Sequence, residues 1–353
     1  MFRQILAILV FTLAGPALAR ETIPGVDSHY RVIEANDGTR LDAIIAIPEG
    51  NDGPLNPLLF TQWVSCGSIE YRAGSNAREL LAQLARESGL ALVRVERDAR
   101  SDGPGPGCAE LDYDTELAHY IDAYRQLLVD PLLDPSQVFI YGSSLGSTTA
   151  PLLGLALQQS GFDVAGIMVQ GGGAVTYLER MLHFERHYLE RRPAEVTPAE
   201  IHAEYLARAR FQFEYLVNGR HPDEIARDSE TLARIRHDTL GLGESDHYGR
   251  PYAWHQQAAQ RNFLAAWAAL DARVLVIFNE FDQFEARHGH ELIADAVNRL
   301  RPGTASFFLR RNIGHSDNRY NTIEDAYAFT NGQPAWQEAA AIMLNWLSQR
   351  GRW

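Results

Sequence analysis

Ser144 stands at the centre of Gly142-Ser143-Ser144-Leu145-Gly146, a Gly-x-Ser-x-Gly pentapeptide. It follows the apolar run Val138-Phe139-Ile140-Tyr141 and precedes a helix-compatible stretch. A strand that turns this sharply into a helix puts the central serine at the tip, with its hydroxyl exposed. Glycines at 142 and 146 remove side chains that so tight a turn cannot hold. The N-terminus of the following helix favours negative charge developing beside it. The chemistry such a turn serves is attack by the serine oxygen on an acyl carbonyl.

A serine hydroxyl is a weak nucleophile near neutral pH. It needs a base within hydrogen-bond reach, and the base needs an orienting group. With a serine on this kind of turn, the chain order is serine, acid, histidine. The acid is expected at the C-terminal end of a late strand. Val274-Leu275-Val276-Ile277-Phe278 runs into Asn279-Glu280-Phe281-Asp282-Gln283, which makes Asp282 the first choice and Glu280 its near rival, with Glu285 a poorer third. An earlier apolar run, 164–169, leads instead to Gln170-Gly171-Gly172-Gly173, which carries no acid.

The base is expected after the last strand, where Ser306-Phe307-Phe308-Leu309 leads to Arg310-Arg311-Asn312-Ile313-Gly314-His315-Ser316. His315 fits, and Gly314 lets the backbone bend toward the serine. His288 and His290 fall at a helix start and read as surface or capping residues. His183, His187, His202, His221, His237, His247 and His255 lie in a separate helical interval, where they could meet substrate but not serve as the base. The oxyanion needs two backbone N–H groups. One is expected from Leu145. The other belongs to the loop Gln62-Trp63-Val64-Ser65-Cys66-Gly67-Ser68, with Val64 the first choice and Trp63 the second.

The elements that must position these groups are legible in outline. Residues 30–35 and 41–47 alternate and are β-branched, and Asn36-Asp37-Gly38 between them reads as a hairpin turn. Short apolar runs at 58–61, 91–95, 138–141, 164–169, 274–278 and 306–309 read as buried strands. Helical patterns at 76–87, 114–128 and 336–347 fall between or after them. Residues 102–107 are a Gly/Pro loop by composition. The alternation predicts an α/β fold, a mostly parallel, doubly wound sheet opened by an antiparallel N-terminal hairpin. From 177 to 267 no strand is evident. That interval reads as an inserted helical cap over the site, and its Glu179, Glu185, Glu190, Glu204 and Glu214 read as a solvated helix face.

With 353 residues the chain can form one large domain carrying an insertion. Its net charge of −13 argues against binding nucleic acid or an anionic membrane surface, since both need basic patches. No His/Cys/Asp/Glu spacing suggests a metal site, so neither metal nor organic cofactor is expected. Residues 1–19 carry a basic start at Arg3, an apolar stretch at 5–13 and Ala17-Leu18-Ala19, the pattern of a cleaved signal peptide. This predicts an exported protein, periplasmic or secreted, whose mature chain has no membrane span. In that setting the only two cysteines, Cys66 and Cys108, are read as a disulfide in preference to two buried thiols.

Taken together, Gly142-Ser143-Ser144-Leu145-Gly146, Asp282 after its strand and Gly314-His315-Ser316 make the chain resemble an α/β-hydrolase over nearly all of 20–353. Further stretches resemble the exported branch near the prolyl-oligopeptidase and acyl-peptidase types. They are Gln62 to Glu70, Arg94-Val95-Glu96-Arg97, Cys108 with Leu111-Asp112-Tyr113, and Gly249-Arg250-Pro251 leading to Trp267. One departure concerns the site: Trp63 stands where the family usually has glycine, and its bulk would narrow the acyl pocket. The resemblance implies a serine hydrolase cleaving carboxylic esters through an acyl-enzyme intermediate. A peptidase or amidase acting on short peptides is the alternative, and a non-catalytic binding protein on the same fold comes third.

Overall fold

The structure is a computed structural model that describes residues 20–99, 105–172, 176–190 and 196–349, with 187–190 described by backbone only. The leader expected over 1–19 and part of the loop expected over 102–107 lie outside the described residues.

The chain opens with a hairpin, β1 (Val26–Glu34) and β2 (Arg40–Pro48), closed at a turn where Gly38 has φ 86°. Strand and helix then alternate: β3 (Pro57–Thr61), α1 (Asn76–Glu87), β4 (Ala91–Val95), α2 (Tyr113–Leu127), β5 (Val138–Ser143), α3 (Gly146–Gln159) and β6 (Val164–Gln170). The helical interval follows, with α4 (Tyr177–Glu190), α5 (Pro198–Gln212), a π-helical turn over Phe213–Val217, α6 (Pro222–Ala226) and α7 (Glu230–Asp238). It continues through β7 (Asp246–His247), β8 (Arg250–Pro251), α8 (Tyr252–Ala259) and α9 (Phe263–Ala269). The chain then returns to the sheet with β9 (Arg273–Asn279), α10 (Arg287–Leu300) and β10 (Ala305–Arg310). It ends with β11 (Asn318–Arg319), α11 (Ile323–Ala328), β12 (Gln333–Pro334) and α12 (Trp336–Ser348).

Eight strands form one sheet in the order β1-β2-β4-β3-β5-β6-β9-β10. The β1/β2 and β2/β4 pairs are antiparallel, and the other five are parallel. This is the expected fold class. Both faces of β3, β4, β5, β6 and β9 are covered, which is why they read as largely apolar runs, whereas the edge strand β10 leaves Phe308 exposed. Alternate residues serve opposite faces. Leu59, Ile140, Val274 and Val276 pack under α2, α3 and α10, whereas Leu58, Phe60, Tyr141, Leu275 and Ile277 pack under α1 and α12. A third apolar core lies in the helical interval and includes Leu145 from the start of α3.

Two expectations for that interval are corrected. It does contain strand, because β7 and β8 pair antiparallel over two residues each, too short to leave a periodic signal. Glu185 is not on a solvated face. It is buried, its carboxylate accepts from Arg208 Nη1 at 2.7 Å, and Gln212 donates to its other oxygen.

Cys66 and Cys108 form a disulfide, with Cα atoms 5.6 Å apart and a sequence separation of 42. It joins the loop after β3 to the turn before α2. In the chain-entropy account, closing a loop of this length stabilises the fold by about 4 kcal/mol. The Cys66→Ser, Cys108→Ser double variant is expected to lose about that amount in urea unfolding. An unchanged midpoint and slope would show that the bond carries no stability.

Candidate active site

Strand β5 ends at Ser143, and Ser144 adopts a left-handed backbone with φ 52°. Three glycines make room for it. A Cβ on Gly142 would stand 2.6 Å from Gly146 O, one on Gly146 2.0 Å from Thr61 O, and one on Gly172 2.1 Å from Ser144 O. Two bonds fix the turn. Ser144 N–H donates to Gln170 O at 2.8 Å, and Ser147 Oγ donates to Gly142 O at 2.9 Å. Ser147 therefore closes the turn from the first turn of α3.

Ser144 Oγ lies 2.9 Å from His315 Nε2, and His315 Nδ1 lies 2.8 Å from Asp282 Oδ2. Asp282 is buried just beyond β9. Its Oδ1 accepts from the N–H groups of Phe284 and Glu285 at 2.9 and 3.0 Å, so both carboxylate oxygens are occupied. Glu280 turns the other way and accepts from Asn312 N–H at 2.9 Å. The structure thus brings Ser144, His315 and Asp282 together and leaves Glu280 out.

The loop carrying His315 is braced on several sides. Asn279 Nδ2 donates to Gly314 O at 2.9 Å, and Gln170 Nε2 donates to Asp317 Oδ1 at 2.7 Å. Arg310 is paired with Asp317, and the ring of Phe284 meets the His315 ring edge-on.

Burial works against ionisation of Asp282. The His315 imidazole and the Phe284 N–H outweigh it and hold the carboxyl below its ordinary value. Burial likewise disfavours a charged His315, but the Asp282 carboxylate and, more weakly, Glu285 raise its pKa above 6.5. Glu285 itself is pushed up to about 7 by burial, against the pull of Arg180 and with a further push from Asp282.

Ser144 opens into a cavity of about 640 Å³ whose walls include Trp63, Val64, Leu145, Arg180, Tyr248 and Phe284. Among the described residues, no main-chain or side-chain oxygen accepts from the N–H of Leu145 or Val64. Trp63 packs against Phe60 and presents its ring to the cavity. His290 is a correction. It is buried, bonded to Ala286 O at 2.8 Å and packed on Phe278, because the second turn of α10 faces the sheet. Among the described residues, none of the histidines of the helical interval lines the cavity; His247 and His255 are buried in the interval's own core.

Sequence reasoning missed Arg180 and its pairing with Glu285, which stays out of the Ser144–His315–Asp282 line. Arg180 sits on α4 at the cavity wall, buried, and its Nε donates to Glu285 beside Asp282. A signal existed: Tyr177, Met181 and Phe184 form a buried stripe at helical spacing, and Arg180 lies within it. Among the described residues no group of three or more His, Cys, Asp or Glu could hold a metal ion.

The His315 ring is expected to titrate above 6.5 when followed by NMR. Asp282→Asn should move that titration down, whereas Glu280→Gln should leave it within a few tenths of a unit. An equal response to both substitutions would contradict the geometry.

No protein-family model matches the sequence. Among solved structures the chain is similar to one of two esterases from Rhizomucor miehei, with 15% identity, TM-score 0.53 and coverage of 93% of this chain and 84% of that one. It is also similar to carboxyl esterase 2 of Tuber melanosporum, with 13% identity, TM-score 0.54 and coverage of 94% and 89%. The acylaminoacyl peptidase of Pyrococcus horikoshii gives TM-score 0.58 at 9% identity, covering 92% of this chain but 42% of that one. At such identities the likeness is one of architecture, and with the sheet order above it establishes that this chain has the α/β-hydrolase fold.

Proposed function

We propose that the chain is an exported serine hydrolase that cleaves carboxylic esters of small molecules through an acyl-enzyme intermediate. The unbroken line from Ser144 Oγ through His315 to Asp282, on the floor of a cavity, carries the reading. In this scheme His315 takes the Ser144 proton as the oxygen attacks the carbonyl carbon. Asp282 holds the ring in the tautomer that leaves Nε2 free to accept, and stabilises the imidazolium that forms. The N–H groups of Leu145 and Val64 receive the oxyanion. His315 then protonates the departing alkoxide. Water, deprotonated by the same ring, releases the acid and restores Ser144.

Residues 177–267 are the cap of this site. Their apolar core includes Leu145, so the cap packs directly on the serine turn. Export is supported by the leader pattern over 1–19 and by the Cys66–Cys108 disulfide.

The likeness to an acylaminoacyl peptidase keeps a second reading in view, cleavage of short peptides or amides. The charge of the cap favours esters. A peptide's amino terminus would need a carboxylate within reach, and among the described residues of 177–267 none that lines the cavity is acidic. The charged cap side chain at the cavity wall is a cation, Arg180.

Ser144→Ala is expected to lower kcat by roughly 10⁴-fold or more and to abolish labelling by a fluorophosphonate. Wild-type kcat/KM should rise with pH through an inflection above 6.5, since a raised His315 pKa keeps the base protonated below it. A panel of chromogenic esters beside aminoacyl and dipeptidyl amides separates the two readings. Faster turnover of the amides would overturn the ester assignment, and full activity in the alanine variant would overturn the serine mechanism.

A further inference from the structure

The segment carrying Val64 is gripped from behind by two buried guanidinium groups. Arg97, just past β4, donates from Nη2 to Trp63 O at 2.5 Å and from Nη1 to Val64 O at 3.5 Å. Arg250, on β8, donates from Nε to Val64 O at 3.1 Å and from Nη1 to Cys108 O at 3.0 Å. Its Nη2 is bonded to Glu116, whose carboxylate also lies 3.5 Å from Arg97 Nη1 and accepts from Trp254 Nε1 at 2.9 Å. Arg97, Arg250 and Glu116 are all buried, and none of the three lines the cavity.

Peptide geometry gives this grip a direction. In a trans peptide the C=O of one residue and the N–H of the next point opposite ways. A Trp63 carbonyl held behind the loop therefore aims the Val64 N–H forward, toward the cavity that Val64 and Ser144 both line. A Val64 carbonyl held the same way aims the Ser65 N–H forward, and Ser65 lines the cavity too. An arginine suits the task because its planar fork spans two adjacent carbonyls.

We propose that Arg97, Arg250 and Glu116 are positioning residues that hold the Trp63–Ser65 backbone in the orientation the oxyanion requires. The inference rests on the reading of Ser144 as nucleophile and Val64 as oxyanion donor. It goes further in making the cap part of the catalytic apparatus, since Arg250 belongs to the interval between β6 and β9. Glu116 sets the spacing of the two guanidiniums and keeps both facing the loop.

The test is Arg97→Lys in the full chain, with a p-nitrophenyl ester as substrate. Active sites are counted by complete fluorophosphonate incorporation, so that unfolded protein does not enter the rate. A lysine keeps the charge but puts its donors on a single nitrogen, losing the planar fork that spans the two carbonyls. Loss of one oxyanion donor typically lowers kcat by about 10²–10³-fold. A donor mis-aimed but still present should lower kcat per titrated site by about 10- to 100-fold, with KM changed less than threefold. Affinity for a boronic acid that forms a tetrahedral adduct should fall by the same factor as kcat/KM. The pH inflection should stay in place, because His315 and Asp282 are untouched.

Arg250→Lys is the second variant, and should show the same kcat-selective loss if Arg97→Lys yields no titratable protein. A kcat per titrated site within twofold of wild type would overturn the proposal, as would a loss that falls mainly on KM or shifts the pH inflection. If Ser144→Ala is inactive while Arg97→Lys is fully active per site, only the positioning role fails. If Ser144→Ala keeps its turnover, the underlying serine reading fails.

Discussion

One backbone conformation sets the place of every other group in the site, the left-handed turn at Ser144. A residue with a Cβ pays about 1–2 kcal/mol for that conformation. The strain is offset locally by the Ser144 N–H bond to Gln170 O and by Ser147 Oγ on Gly142 O. Holding the turn also requires bare backbone around it, which Gly142, Gly146 and Gly172 supply. Because Gly146 carries no side chain, α3 begins almost in contact with the end of β3. The loop after β3, with Trp63 and Val64, is thereby brought beside the serine.

The acid and base loops reach the same point because β9 and β10 are parallel neighbours, with Asn279 opposite Arg310. Chains leaving adjacent parallel strands emerge side by side at the C-terminal edge of the sheet, where this architecture gathers its reactive groups. Two residues on those strands then tie the loops. Arg310 is bonded to Asn279 and Asp317, and Asn279 to Gly314. Sheet register decides where His315 lies, and these bonds decide how little it can move.

The sheet was legible because parallel strands buried on both faces must be largely apolar, as the runs at β3, β5, β6 and β9 are; β4 is interrupted only by Arg94, buried and paired with Glu21. The order of Ser144, Asp282 and His315 was legible because it follows the order of strand ends. Asp282 and Glu280 could not be separated with the same force. They lie two residues apart, and only the turn after Asn279, where Asp282 N–H bonds Asn279 O, sends one toward His315 and the other toward Asn312. Charge misled in the helical interval between β6 and β9. Glu185 looks solvated in sequence, yet its partner Arg208 lies on the next helix. The pairing of Arg180 with Glu285 spans 105 residues and leaves no local pattern at all.

That pair bears on how a molecule reaches Ser144. Arg180 and Glu285 are both buried, and Glu285 Oε2 has no hydrogen-bond partner among the described residues. Peeling α4 away from the acid loop would take Arg180 from Glu285 and leave that carboxyl beside Asp282 without its cation. The α4 wall of the chamber is therefore pinned by charge. Gly74 to Ala77 and Ser316 to Asn318 form another part of the wall, where buried Asp317 is paired with Arg310. Asn76 bridges the two segments by bonds to Ser316 O, Asp317 O and Asn318 Oδ1. One neutral amide thus staples two stretches of wall that lie about 240 residues apart in sequence, and Asn76→Leu would leave each stretch to its own bonds.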